Sequence, residues 1–170
     1  MYQNYADGLR VGSFGLIEMA ITMSIICFFL EQFDLIKVLG IKAIYIFSFA
    51  VLTLTSLFIF LFPNWIVALS LVWLYGISFG INDLVPFVLL SRYHTSRSFR
   101  KQSPNGTERC FGLDCAIIVC QQYMAQLLMS WIVGPVIAAY NSPVIIFAIS
   151  SIVATIGLLL SSFFVTYEIN

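Results

Sequence analysis

Apolar residues in this chain come in five long runs, Val11–Leu30, Ala43–Phe62, Trp65–Leu90, Gly112–Val133 and Val144–Thr166, and nearly all charged side chains fall between the runs or at the ends. The hydrocarbon layer of a bilayer is about 30 Å thick, and a helix rising about 1.5 Å per residue needs roughly twenty apolar residues to cross it. Each run is near that length. Inside lipid the backbone must satisfy its own hydrogen bonds, which leaves helices or a closed barrel. Val144–Phe147 and Ile156–Leu160 are unbroken apolar stretches without the alternation of a barrel strand. The pattern predicts an all-α membrane protein with five transmembrane helices, residues 1–170 forming a single helical bundle. An odd number of spans is a first indication of membership in something larger.

Composition narrows the class. Apolar residues make up 61% of the chain and charged residues 9%, against roughly a quarter charged in soluble domains. Mean hydropathy is +0.98. The chain has no net charge at pH 7, so nothing in its balance points to a nucleic-acid partner. Cys27, Cys110, Cys115 and Cys120 read as small packing residues rather than a disulfide framework. The five-residue spacing of the last three turns them to different helical faces, and there is one histidine, so no metal site is expected. No nucleophile–base pair or phosphate loop is present, and the chain reads as neither an enzyme nor a cofactor carrier. Met1–Gly8 lacks the basic residues of a secretory signal, and the first run is too long for one.

The distribution of Lys and Arg predicts orientation. Arg92, Arg97, Arg100, Lys101 and Arg109 cluster after the third run, and Lys37 and Lys42 after the first. The Pro63–Asn64 turn and the Gly134–Pro143 connection have none. Basic loops stay in the cytoplasm, which places Met1–Arg10 outside or in a lumen and Glu168–Asn170 inside. Asn105-Gly106-Thr107 matches a glycosylation sequon but falls in the cytoplasmic loop 91–111, and is expected to be unmodified. Pro63-Asn64 predicts a tight outer hairpin. Gly134-Pro135 and Asn141-Ser142-Pro143 are expected to break the chain around a short apolar connection.

Polar residues within the runs are the candidate chemistry, because an acid at bilayer depth costs about 2.5–3.5 kcal/mol on insertion scales and is by default a functional hypothesis. Glu18 and Asp83 qualify. Either can carry a proton, the general consequence of stripping water from a carboxyl. Hydrogen bonding to a Ser, Asn or Tyr of a neighbouring helix is the plainer account, and the better one for Glu18. Pro86 frees a carbonyl near residue 82 and predicts a kink beside Asn82 and Asp83. Kinked helices with polar groups at mid-depth recur at transporter binding sites, and also where there is no site. Gln122 and Gln126 share one helical face, where amides can read sugar hydroxyls or tie helices together. Asp114, at the start of the fourth run, reads as a helix cap or a partner of Arg109. His94 reads as a solvated loop residue. Gly76 with Gly80, and Gly8 with Gly12, are small-xxx-small pairs suited to close helix approach.

Several short motifs together resemble one family. They are Gly12 with Phe14-Gly15-Leu16, Gly40-Ile41-Lys42 before Tyr45, Leu61 to Asn64, and Pro86-Phe87 leading to Ser91 and Tyr93-His94. Further along stand Gly112-Leu113-Asp114-Cys115-Ala116, Cys120 with Ala125-Gln126, and Gly134-Pro135. The chain resembles solute carrier family 45, the proton-associated sugar transporters of animals, and its tail Phe164–Ile169 is similar to the prostein-type ending. The resemblance implies the major facilitator fold of twelve helices in two halves with both termini cytoplasmic. The five spans then correspond to the eighth through twelfth helices, a partial C-terminal bundle, with a missing N-terminal half as an expected partner. Asp83 and Glu18 fall where that family tends to be uncharged, so neither inherits a role from it. Between Glu31 and Lys42 the superfamily loop pattern survives only at Asp34, Gly40 and Lys42.

The expected function is part of a secondary transporter that moves a sugar of the sucrose or glucose type with protons by alternating access. Asn82, Asp83, Gln122 and Gln126 are the expected cavity residues, with Glu18 a further candidate on the proton path. The competing expectation is a truncated, non-transporting bundle that dimerises with or modulates a full-length transporter.

Overall fold

The structure, a computed structural model, describes residues 2–33, 36, 39–95 and 111–163. Its framework among these is five helices: α1 (Tyr2–Gln32), α2 (Ile41–Leu61), α3 (Trp65–Thr95), α4 (Phe111–Tyr140) and α5 (Ile145–Phe163). Each is long and apolar enough to cross a membrane, and there is no strand among the described residues. The protein is all-α.

Local chemistry sets the ends. Gly40 takes φ +80°, a conformation that side chains resist, and α2 starts at the next residue. At the Pro63–Asn64 hairpin, the Asn64 Oδ1 accepts the Ile66 amide at 3.1 Å and the Asn64 carbonyl accepts Ala68 N–H, so this one residue opens α3. α3 then runs past the apolar stretch to Thr95. Its last turn carries the basic residues Arg92 and His94, and the Arg92 cation suits the negative end of a helix.

One expectation about breaks is corrected. Gly134-Pro135 does not end α4, which continues to Tyr140. A proline there removes only the bond to the carbonyl four residues earlier, and in membrane helices neighbouring groups and local adjustment absorb that loss. The helix stops instead at Asn141, which adopts φ +50° just before Pro143. Pro86 likewise lies inside an uninterrupted α3.

The chain folds as two compact units. Among the described residues, the first lies within 2–82 and 144–163, the second within 83–143. In the first, α2 packs along α5. Its inward stripe, Ile41, Ile44, Ser48, Thr55, Ser56 and Ile59, follows the i, i+3/i+4 spacing of one helical face. Gly157 lets α5 meet the Phe49 ring, since a Cβ there would lie 2.6 Å from it. Gly76 and Gly80 do the same for α3 against α1, where Cβ atoms would meet Met19 O at 2.7 Å and Ile26 Cγ2 at 2.6 Å. Gly8 and Gly12 have nothing within 4 Å, so this second pair makes no close approach among the described residues.

Burial is partly inverted relative to a soluble domain, since hydroxyls share the core with apolar residues such as Ile41 and Val85 while large apolar side chains lie outside. Ser48, Ser56 and Ser78 are 0% exposed, whereas Trp131 is 79% and Phe163 80% exposed. Outside is where a bilayer welcomes apolar surface, and polar groups must find partners within.

Candidate functional site

In the second unit α3 and α4 bring Asp83 and Gln122 together. Gln122 Nε2 donates to Asp83 Oδ1 at 3.3 Å across 39 residues of sequence. The distance is at the long end of the hydrogen-bond range, and Asp83 remains an exposed residue. A neutral amide partner has a chemical consequence. An Arg or Lys would lock the carboxyl in its charged form, whereas an amide can orient it while leaving it able to gain or lose a proton. Gln126, one turn along α4, is exposed; its carbonyl accepts the Ser130 hydroxyl at 2.9 Å.

Asn82 belongs to a different arrangement, inside the first unit. Ser48 Oγ of α2 lies 2.9 Å from both Asn82 Oδ1 and the Ser78 carbonyl. A second set of hydroxyls stands two turns along α2. Ser56 donates to the Leu52 carbonyl at 2.7 Å and meets the Tyr75 hydroxyl at 2.8 Å and Ser150 Oγ at 3.2 Å, so three helices converge on it. Ser151 adds a bond from α5 to the Thr53 carbonyl of α2. None of these serines stood out as a candidate, because Ser and Thr in apolar helices mostly bond their own preceding turn, as Thr53 and Ser24 do here. The available signal was the regular placement of Ser48, Thr55 and Ser56 on one stripe of α2.

Glu18, on α1, is half-buried, and its carbonyl accepts the Thr22 hydroxyl at 2.8 Å. Asp114 stands in the first turn of α4 and bonds His94 at the end of α3, with Nε2 to Oδ2 at 2.9 Å. This corrects one expectation. His94 is 23% exposed and packs edge-on against Phe111 at 5.3 Å, so it is an interhelical partner rather than a solvated loop residue. The partner expected for Asp114, Arg109, lies outside the described residues, as do the sequon, Cys110, the remaining basic residues of 96–110, Asp34 and Lys37, and the tail from Phe164.

Five lipid-length helices with many exposed large apolar side chains, linked within each unit by hydroxyl, amide and carboxyl groups, define a multi-pass membrane protein. Over 168 residues, 99% of its length, the chain is 33% identical to proton-associated sugar transporter A of Homo sapiens. It is 31% identical over 163 residues to solute carrier family 45 member 4 of Mus musculus, and 30% identical over 168 residues to the membrane-associated transporter protein of Homo sapiens, covering 96% of this chain in each case. The chain belongs to solute carrier family 45, whose named members are transporters and not enzymes. It spans 22%, 21% and 31% of the length of these three relatives, respectively. No protein-family model matches the chain, and no solved structure does.

Proposed function

We propose that this chain is part of a secondary active transporter that carries a sugar together with protons by alternating access, its helices corresponding to the eighth through twelfth of a major facilitator protein. The Asp83–Gln122 bond carries the reading. It sets a carboxyl within a lipid-length helix, held by a donor that does not compel it to stay charged. In this scheme Asp83 takes up and releases the proton, Gln122 orients it, and Gln126 offers an amide to sugar hydroxyls. Support for the substrate comes from the relative named as a proton-associated sugar transporter. The Lys and Arg pattern supports a cytoplasmic 91–111 loop and an outer or lumenal amino end.

The deciding measurement is proton-driven sugar uptake by vesicles containing this chain, alone and together with the N-terminal portion of a family 45 transporter. We expect uptake in the combined sample, with Asp83→Asn removing its dependence on the proton gradient and cutting the rate at least about tenfold, the scale of a lost acid–base group. Undiminished, gradient-dependent uptake by Asp83→Asn would overturn the assignment. A second reading, a non-transporting bundle that associates with and modulates a full-length transporter, is supported by the small share of its relatives that the chain spans. It predicts no uptake in either sample, and altered uptake when the chain is added to a complete transporter.

A further inference from the structure

We propose that Ser78 and Asn82 hold a single buried water molecule between α2 and α3, with Ser48 completing its surroundings. The Ser78 hydroxyl is 0% exposed and is the one buried side-chain polar atom without a hydrogen-bond partner among the described residues. Ser48 Oγ, also 0% exposed, lies 2.9 Å from two acceptors, the Ser78 carbonyl and Asn82 Oδ1. A hydroxyl has one hydrogen, so it can satisfy only one of them. One acceptor and one hydroxyl are thus left wanting on adjacent turns of the same helix.

Their spacing supplies the ligand. Residues four apart on a helix have Cβ atoms about 5–6 Å apart on one face, and two hydrogen bonds of about 2.8 Å through a water oxygen span that gap. In the arrangement that balances every group, Ser48 gives its hydrogen to the Ser78 carbonyl. Water accepts the Ser78 O–H and donates to the Asn82 amide oxygen. Turning the Asn82 amide over, so that its nitrogen faces Ser48, satisfies that contact as well but still leaves Ser78 without a partner. Two or more polar partners are what a buried water needs, and with Ser48 and Ser78 fully covered nothing the size of a sugar reaches their hydroxyls. The site is independent of the Asp83–Gln122 pair and of the transport reading.

Thermal unfolding of the full chain in detergent tests the assignment with Ser78→Ala, Ser48→Ala and the double variant. A held water predicts that Ser78→Ala lowers Tm by about 2–4 °C, the response of a protein this size to one lost buried hydrogen bond. It also predicts that the two single effects fail to add, and that replacing sodium with choline changes nothing. If Ser78 has no ligand, Ala removes a stranded hydroxyl and is the better helix former, so an unchanged or raised Tm overturns the proposal. Additive single effects overturn it too. A Tm that rises with sodium in the wild type and not in Ser78→Ala would put a cation there instead. Should Ser78→Ala not yield folded protein, Ser78→Cys, close in size and a weak donor, carries the same expectation, and an unchanged Tm again overturns it.

Discussion

Asp83 and His94 show how far one residue's surroundings decide its work. Both stand on α3 and both meet α4, but Asp83 has an amide partner and His94 a carboxylate. In the proposed transport scheme, Gln122→Ala removes the amide that orients Asp83 and is expected to slow proton-driven uptake several-fold, while Gln126→Ala, one turn further along α4, weakens sugar affinity with coupling intact. Equal effects of the two on coupling would sink the division of labour. The His94–Asp114 pair is about a fifth exposed, so its contribution is that of a partly solvated side-chain hydrogen bond. His94→Ala and Asp114→Asn should each destabilise the chain by about 0.5–1 kcal/mol, read as Tm, and the double variant should be little worse than either. Glu18, Asp83, Asp114 and the glutamines were legible as polar residues out of place in apolar runs. Which of Gln121, Gln122 and Gln126 would meet Asp83 was not, since the match depends on how α4 is rotated against α3.

At the scale of elements, small residues do different work depending on what lies opposite. Gly76→Ala would place a methyl 2.7 Å from the Met19 backbone oxygen, where no flexible side chain can yield. The expected cost is about 1–3 kcal/mol of stability, the range for overpacking. Gly12→Ala meets open space within a helix and should be neutral or stabilise the chain by up to about 1 kcal/mol, because Ala is the better helix former. A comparison of the two melting temperatures checks both, and equal shifts would refute the packing account. The two glycine pairs look alike in sequence because the spacing states only that a face is smooth. Proline gives the same lesson: Gly134-Pro135 reads as a stop, but in lipid a helix that loses one hydrogen bond keeps the rest because the alternative is bare backbone.

For the molecule as a whole, the inverted burial implies a lipid environment, and the proposed orientation places 91–111 in the cytosol. A tag inserted near Gly106 should be reachable by antibody only after the membrane is permeabilised. Labelling of intact cells would reverse the topology and with it the proposed correspondence to the eighth through twelfth helices.

The order of apolar and polar residues was enough to determine five membrane-length helices and an all-helical chain, because the cost of unpaired backbone in hydrocarbon leaves almost no other way to thread such runs through lipid; the family was legible only in short motifs such as Gly112-Leu113-Asp114-Cys115-Ala116. Partnerships across helices required the folded chain: Ser56 with Tyr75 and Ser150, Ser48 with Asn82, Gln122 with Asp83, His94 with Asp114. A hydroxyl or amide in a helix can turn back to its own preceding carbonyl or reach outward, and the two options differ by little until a neighbouring helix stands within about 3 Å.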